Sequence, residues 1–240
     1  MKIEVWSDFV CPFCYIGKRR LESALEQFSH RDDVELGYKS YELDPDAEVN
    51  PGQNMHEYLA AKKGMSFEQA KSMNESLGEQ AAEVGLTYNF DTMQHTNTFD
   101  AHRVAKYATE KGKGKELTER LLKAYFTDSE LISDHATLIR LAGEVGLDQD
   151  DVTAFLKVDD YALHVRADEE QARQLGVEGV PFFVFNDKYA VSGAQPAEVF
   201  TEVLEKVWEE EKEQSPLQSL NPKKSKTTYC TDEGCEIVED

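Results

Sequence analysis

Cysteine is scarce in this chain, four among 240 residues. So few thiols cannot staple a fold of this length, and stability has to come from a packed core. Long apolar runs are missing as well, and none approaches the roughly 20 residues that cross a bilayer. A secretory leader does not fit either, because the first strand-like segment begins almost at Met1. With Met1 as the natural start, the expected compartment is the cytoplasm. A cysteine pair there is more often catalytic, redox-sensing or metal-binding than structural. Positive charge is in deficit, 26 Lys and Arg against 47 Asp and Glu, for a net charge of -21. Nucleic acid and anionic membrane repel such a surface, so neither is expected as a partner. No internal repeat is visible. The 40% of apolar residues that remain suffice for one large domain or two small ones.

Two of the four cysteines lie in the stretch around which the rest is organised, Trp6-Ser7-Asp8-Phe9-Val10-Cys11-Pro12-Phe13-Cys14. Ile3, Val5 and Trp6 read as a short strand and Ser7-Asp8 as a turn. Tyr15 to Phe28 reads as a helix, with Ile16, Leu21, Ala24, Leu25 and Phe28 at helical spacing. Pro12 falls just inside the helix start, where its missing N–H costs nothing. The free N–H groups and positive dipole end there favour a thiolate, so Cys11 is expected to be the acidic, exposed sulfur. Cys14, one turn in, is expected to point from the same face and close the disulfide. Two buried structural thiols, or half of a zinc site, are the competing readings; the strand–turn–helix context favours the redox pair.

The longer string WSDFVCPFCYIGKRRLE resembles the redox motif of the thioredoxin superfamily and, within it, the DsbA-like proteins of the FrnE type. The resemblance covers roughly residues 1–210. It implies an α/β class, a thioredoxin fold with an inserted all-helical domain. It also implies a thiol–disulfide oxidoreductase (reductase, isomerase or oxidase) acting on protein disulfides, with oxidative stress as a candidate setting.

The remaining chain divides accordingly. Val34 to Leu43 alternates as a second strand, and Pro45, Asn50, Pro51 and Gly52 mark a loop. From Met55 to Gly146 every segment reads as helix, with Ser66 as one N-cap and Asn97 or Thr98 as another. The expected domains are therefore a thioredoxin-like unit of residues 1–52 and 149–212, a helical insertion of 53–148, and a C-terminal extension of 213–240. Asp150 or Asp151 is expected to cap a helix through Leu156, and Tyr161 to Gln174 forms the next. Val177 to Phe185 then carries Val180-Pro181 at the entrance to a β-prone run, an odd place for proline because it removes a ladder hydrogen bond. Only about 5–6% of X–Pro bonds in folded proteins are cis, yet the resemblance implies a cis bond here. It also implies that Pro181 lies across from the dithiol and that the Val180 backbone pairs with substrate. Asn186-Asp187-Lys188 turns a hairpin, and Ala197 to Glu211 forms a last helix.

Past Glu213 the sequence reads as an extended tail, with Ser215-Pro216, Asn221-Pro222 and Lys223-Lys224-Ser225-Lys226. It ends in Cys230-Thr231-Asp232-Glu233-Gly234-Cys235, which reads as a secondary redox pair or as a dispensable acidic terminus.

In the implied chemistry Cys11 exchanges with a substrate disulfide and Cys14 resolves the intermediate. Pro12 and Phe13 tune the couple. Phe13 stands where strongly oxidising relatives have a histidine, so the expected potential is intermediate. No metal and no cofactor beyond the redox-active disulfide are expected. The expected partners are protein thiols and disulfides and cellular thiol reductants, with glutathione as a candidate electron partner. Two further functions compete: a glutathione-dependent transferase or isomerase of the kappa type, and a redox-sensing thioredoxin-fold chaperone or adaptor. Both cysteines being present weighs against the kappa type, whose members generally carry a serine at the nucleophile position. His95 and His102 are spaced to share a helix face but read more simply as satisfied core or surface residues. Arg19, Arg20 and Arg103 read as neutralising neighbours rather than as an anion site. Tyr41 and Leu43 read as core beneath the dithiol.

Overall fold

The computed structural model describes residues 1–50, 52–213, 227–231 and 234–238. Strand β1 (Lys2–Ser7) is buried along almost its whole length, as a central strand must be. It pairs in parallel with β2 (Glu35–Ser40), Ile3 opposite Leu36 and Val5 opposite Tyr38. On its other edge it pairs antiparallel with β3 (Phe182–Phe185), which is followed by β4 (Tyr189–Ser192), giving the order β2-β1-β3-β4. Asn186 and Asp187, both at positive φ (50° and 54°), turn the three-residue loop 186–188 of the β3–β4 hairpin. The Asn186 side chain accepts from Lys2 N at 2.7 Å, which ties that turn to the start of β1.

Between β1 and β2 runs α1 (Pro12–Gln27), so the Cys11–Cys14 stretch is its first turn rather than a preface to it. Tyr15, Ile16 and Leu21 form its buried stripe. After β2 come α2 (Met55–Lys63), α3 (Phe67–Glu83), α4 (Phe99–Glu110), α5 (Gly114–Phe126) and α6 (His135–Glu144). Asn54 and Ser66 open α2 and α3 with capping boxes, each satisfying two otherwise orphaned N–H groups. The return segment adds α7 (Gln149–Leu156), α8 (Ala162–Gln174) and α9 (Ala197–Glu213). Asp148, not Asp150 or Asp151, caps α7; its carboxylate accepts from both later N–H groups, which leaves those two acids in the first turn. Tyr161 precedes α8 at φ 63° rather than belonging to it.

Residues Met1–Val207 make one compact unit. Its main core joins Phe9, Tyr15 and Ile16, beside the cysteines, to Val104, Leu121, Leu138 and Phe155 of α4 to α7. A smaller cluster of Trp6, Ala172, Val177 and Val184 seals the sheet against α8. Phe183 stacks edge-on against Phe200 of α9, with ring centroids 4.7 Å apart. Buried Glu4 pairs with half-buried Lys39 at 3.3 Å, and Lys39 also meets Asp168 of α8 at 3.3 Å. Ionic groups so placed gain little net stability but resist misregistration, since stranding any one of them is costly. No helix among the described residues is long and apolar enough to cross a membrane.

The second unit, Trp208–Asp240, contains a hairpin of β5 (Thr227–Thr231) and β6 (Gly234–Val238). The tail expected to be extended is therefore paired at its end, with Cys230 opposite Cys235 in the register. The side chains of that pair, and the Pro- and Lys-rich segment 214–226, lie outside the described residues.

Candidate active site

Cys11 is the N-cap of α1, with extended backbone (φ -88°, ψ 112°), and Pro12 occupies the first helical position. The Cys11 N–H donates to Asp8 O (3.2 Å) and the Cys14 N–H to Cys11 O (3.0 Å), so strand end, turn and helix start are one hydrogen-bonded piece. Both cysteines are free thiols and both are buried, Cys11 at 4% exposure and Cys14 at 3%. That overturns the expectation of an exposed Cys11. The reason is tertiary: the Val180 loop lies over the sulfur, and Cys11 Sγ donates to Val180 O at 3.4 Å. Burial, reinforced by its neighbour Cys11, pushes the Cys14 thiol well above the ordinary range, against a hydrogen bond from Ser7.

The Val180–Pro181 peptide bond is cis. Pro181 O accepts from Gly193 N at 2.8 Å, which anchors the loop to the strand beyond. Helix α1 reaches this loop because residue 17 is glycine. A Cβ there would stand 3.1 Å from Pro181 Cγ and 3.2 Å from Phe183 Cζ. The dithiol, Pro12, Phe13, Val180 and Pro181 are thus brought together by backbone contacts. Phe13 remains 42% exposed.

A cleft of about 580 Å³ opens beside them. Val10, Cys11, Phe13 and Val180 line its near side; Met55, Leu59, Met73, Leu77, Phe90 and Met93 line the far one. Leu43, expected in the core, is 45% exposed at its edge. Four of the polar lining residues, Asp44, Tyr58, Lys62 and His95, form one cluster. Asp44 Oδ2 accepts from Tyr58 OH (2.9 Å) and Lys62 Nζ (3.0 Å). The His95 ring stacks on Tyr58 at 3.5 Å, and its Nε2 lies 3.7 Å from Asp44 Oδ2. Burial lowers the His95 pKa, so the ring is neutral near pH 7.

Sequence reasoning missed Tyr88. Its hydroxyl donates to Pro12 O at 2.7 Å while its ring stacks on Phe126 and Tyr15, so it clamps the peptide between the two cysteines. No local pattern marks a tyrosine in the loop after α3 for that task. His95 and His102 do not share a helix face, because His95 precedes α4 whereas His102 lies on it. His102 Nε2 meets Asp8 Oδ1 at 3.3 Å in the protein interior. The three arginines are spent on structure: Arg19 on Glu22 and Glu119, Arg20 on Ala194 O, and Arg103 on Asp100 and three backbone carbonyls.

Residues 2–205 match the family model described as the DSBA-like thioredoxin domain. The crystal structure of the probable DsbA oxidoreductase SCO1869 from Streptomyces coelicolor superposes with a TM-score of 0.85 at 43% identity, covering 99% of both chains. The uncharacterized protein YwbO of Bacillus subtilis is 28% identical over 204 residues, 84% of this chain and 94% of that protein. The cytosolic disulfide reductase DsbM from Pseudomonas aeruginosa, determined with GSH, aligns with a TM-score of 0.56 at 14% identity, over 87% of this chain and 100% of that one. At that identity the likeness is one of fold alone.

Proposed function

Because the chain belongs to the DsbA-like thioredoxin domain family, we propose that it is a thiol–disulfide oxidoreductase working on protein disulfides through Cys11 and Cys14. The observation that carries this reading is the seat of Cys11, at the N-cap of α1, against the Val180 carbonyl and opening on an apolar cleft. The Cys11 sulfur attacks one sulfur of a substrate disulfide, and the other leaves as a thiolate. Cys14 then attacks Cys11, the mixed disulfide breaks, and the substrate is released with two electrons. Resolution is fast because the two protein sulfurs stay together when the substrate does not. The Val180 backbone takes a strand of the substrate by edge pairing, and the cleft takes its apolar side chains.

The proposed compartment is the cytoplasm, with cellular thiols such as glutathione as electron partners and no cofactor beyond the dithiol. Cys230 and Cys235, opposite each other in the terminal hairpin, are proposed as a secondary pair that recycles the first. Reduction of insulin disulfides and reactivation of scrambled ribonuclease test the main reading, since both must vanish in Cys11→Ala. Conjugation of glutathione to small electrophiles that survives Cys14→Ala, without either of those activities, would replace it by the kappa-type reading.

A further inference from the structure

Two donors have a claim on one carbonyl. Edge pairing of a client strand at Val180 needs both the N–H and the C=O of that residue. Glu178, Gly179 and Val180 precede β3, and among the described residues none of their N–H groups donates a hydrogen bond within the chain. A Cβ added at Gly179 would meet no atom within 4 Å, so the segment has open space beside it. Val180 also lines the cleft. One group of this unpaired edge is nevertheless taken, because the Val180 oxygen accepts from Cys11 Sγ at 3.4 Å. Both cysteines are free thiols, so that bond belongs to the reduced enzyme. A disulfide sulfur carries no proton and cannot make it.

We propose that the Val180 carbonyl is a redox-gated acceptor, held by the Cys11 S–H in the dithiol enzyme and open to a client N–H in the disulfide enzyme. Clients then dock to the oxidised form and are let go by the reduced one, an inference that rests on the oxidoreductase reading. An oxygen already engaged by one donor accepts a second more weakly. Cys11 is only 4% exposed, so a displaced S–H has little water to turn to. Where the enzyme oxidises a client, two electrons and two protons pass from the client dithiol to the Cys11–Cys14 disulfide. One client thiolate attacks Cys11 Sγ, the bond to Cys14 breaks, and Cys14 leaves with the electron pair and takes up a proton. The second client sulfur attacks the first, and Cys11 leaves with the electron pair and takes up the other proton. That proton restores the bond to Val180 O as the client strand departs. In the reducing direction the strand has to displace the S–H before exchange begins, so docking is weaker there.

The test is fluorescence anisotropy with a short labelled peptide of alternating apolar residues, carrying serine where a client has cysteine so that it docks without exchanging. The parent is the full chain with Cys230→Ser and Cys235→Ser, in which Cys11 and Cys14 alone change state between oxidising and reducing buffer. Its disulfide form should bind about fivefold more tightly than its dithiol form. Cys11→Ala has no donor and should bind like the disulfide form in both buffers. Cys11→Ser keeps a donor, a stronger one, and should bind no better than the dithiol form in either. A merely structural contact would not send those two substitutions in opposite directions. Equal affinity of the two parental forms overturns the gate, as does equal affinity of the two variants. The parental comparison needs neither variant and stays decisive should one fail to fold. A peptide that binds no form sinks the edge pairing and the gate together. Insulin reduction, run alongside, separates the gate from the reading beneath it. Reduction with equal affinities sinks the gate alone; no reduction, and no reactivation of scrambled ribonuclease, sinks the oxidoreductase reading whatever the affinities.

Discussion

The two sides of the cleft are built from different materials. The near side is backbone: a helix start, the carbonyl of Val180 and the cis loop, fixed by hydrogen bonds of 2.8 to 3.4 Å. The far side is side chains, with methionines at 55, 73 and 93 spread over α2, α3 and the loop before α4. Backbone geometry places a sulfur and a partner strand to within a fraction of an ångström, which exchange chemistry needs. Unbranched thioether side chains repack around differing apolar groups, which broad recognition needs. Reaction and selection are therefore expected to fail separately.

The sharpest way to break this division is at Cys11. Cys11→Ala should reduce insulin-disulfide reduction to the uncatalysed rate, and Cys14→Ala should instead accumulate the mixed disulfide, visible by intact mass. If Cys14→Ala turned over freely, the near side would not work as a pair.

Next in size is a pH effect at the strand exit that carries Leu43 and Asp44 into the far side. Burial pushes the Glu42 carboxyl up to about 7, against the pull of Arg166. The unfolded carboxyl titrates at about 4.3. Between those values the folded state keeps a proton that the unfolded state has lost, so Glu42 costs stability progressively as pH rises from about 4.3 to about 7. Glu42→Gln should remove this decline, gaining about 1–3 kcal/mol relative to the parent at about pH 8 compared with about pH 5. Urea unfolding at the two pH values measures it, and parallel curves for parent and variant would contradict it.

Met73→Lys should lower kcat/KM for apolar peptide disulfides about tenfold, almost all of it in KM. A comparable loss in kcat would mean that the far side takes part in the reaction. The smallest effect is expected at Tyr88→Phe, which removes one hydrogen bond to Pro12 O and keeps the stacked ring. It should cost about 1 kcal/mol in thermal or urea unfolding.

Those two sides also differ in how far the sequence revealed them. Strand, turn, Cys11-Pro12-Phe13-Cys14 and helix are contiguous, and Val180-Pro181 betrays itself by a proline where a ladder bond belongs. Each is a local rule, legible without neighbours. The helices between Met55 and Glu144 are equally plain from caps such as Ser66, but the loop of residues 86–98 that separates α3 from α4 is not. What could not be read was which loop covers which atom. Tyr88 reaches Pro12 across 76 residues, Asp8 meets His102 across 94, and Cys11 is buried by a carbonyl 169 positions away. No periodicity encodes such contacts, because they arise from packing two segments whose faces are individually ordinary. The cap of α7 failed for a smaller reason: three acids lie within four residues, and only Asp148 sits far enough ahead to reach both N–H groups.

The seclusion of both sulfurs governs who may come to them. With Cys11 and Cys14 only 4% and 3% exposed, a disulfide on a slack chain end is expected to reach them more readily than one lying flush in the surface of a finished globular partner. Clients would then be sorted by looseness before any thiol reacts, and a partner that completes its folding would withdraw itself from further exchange.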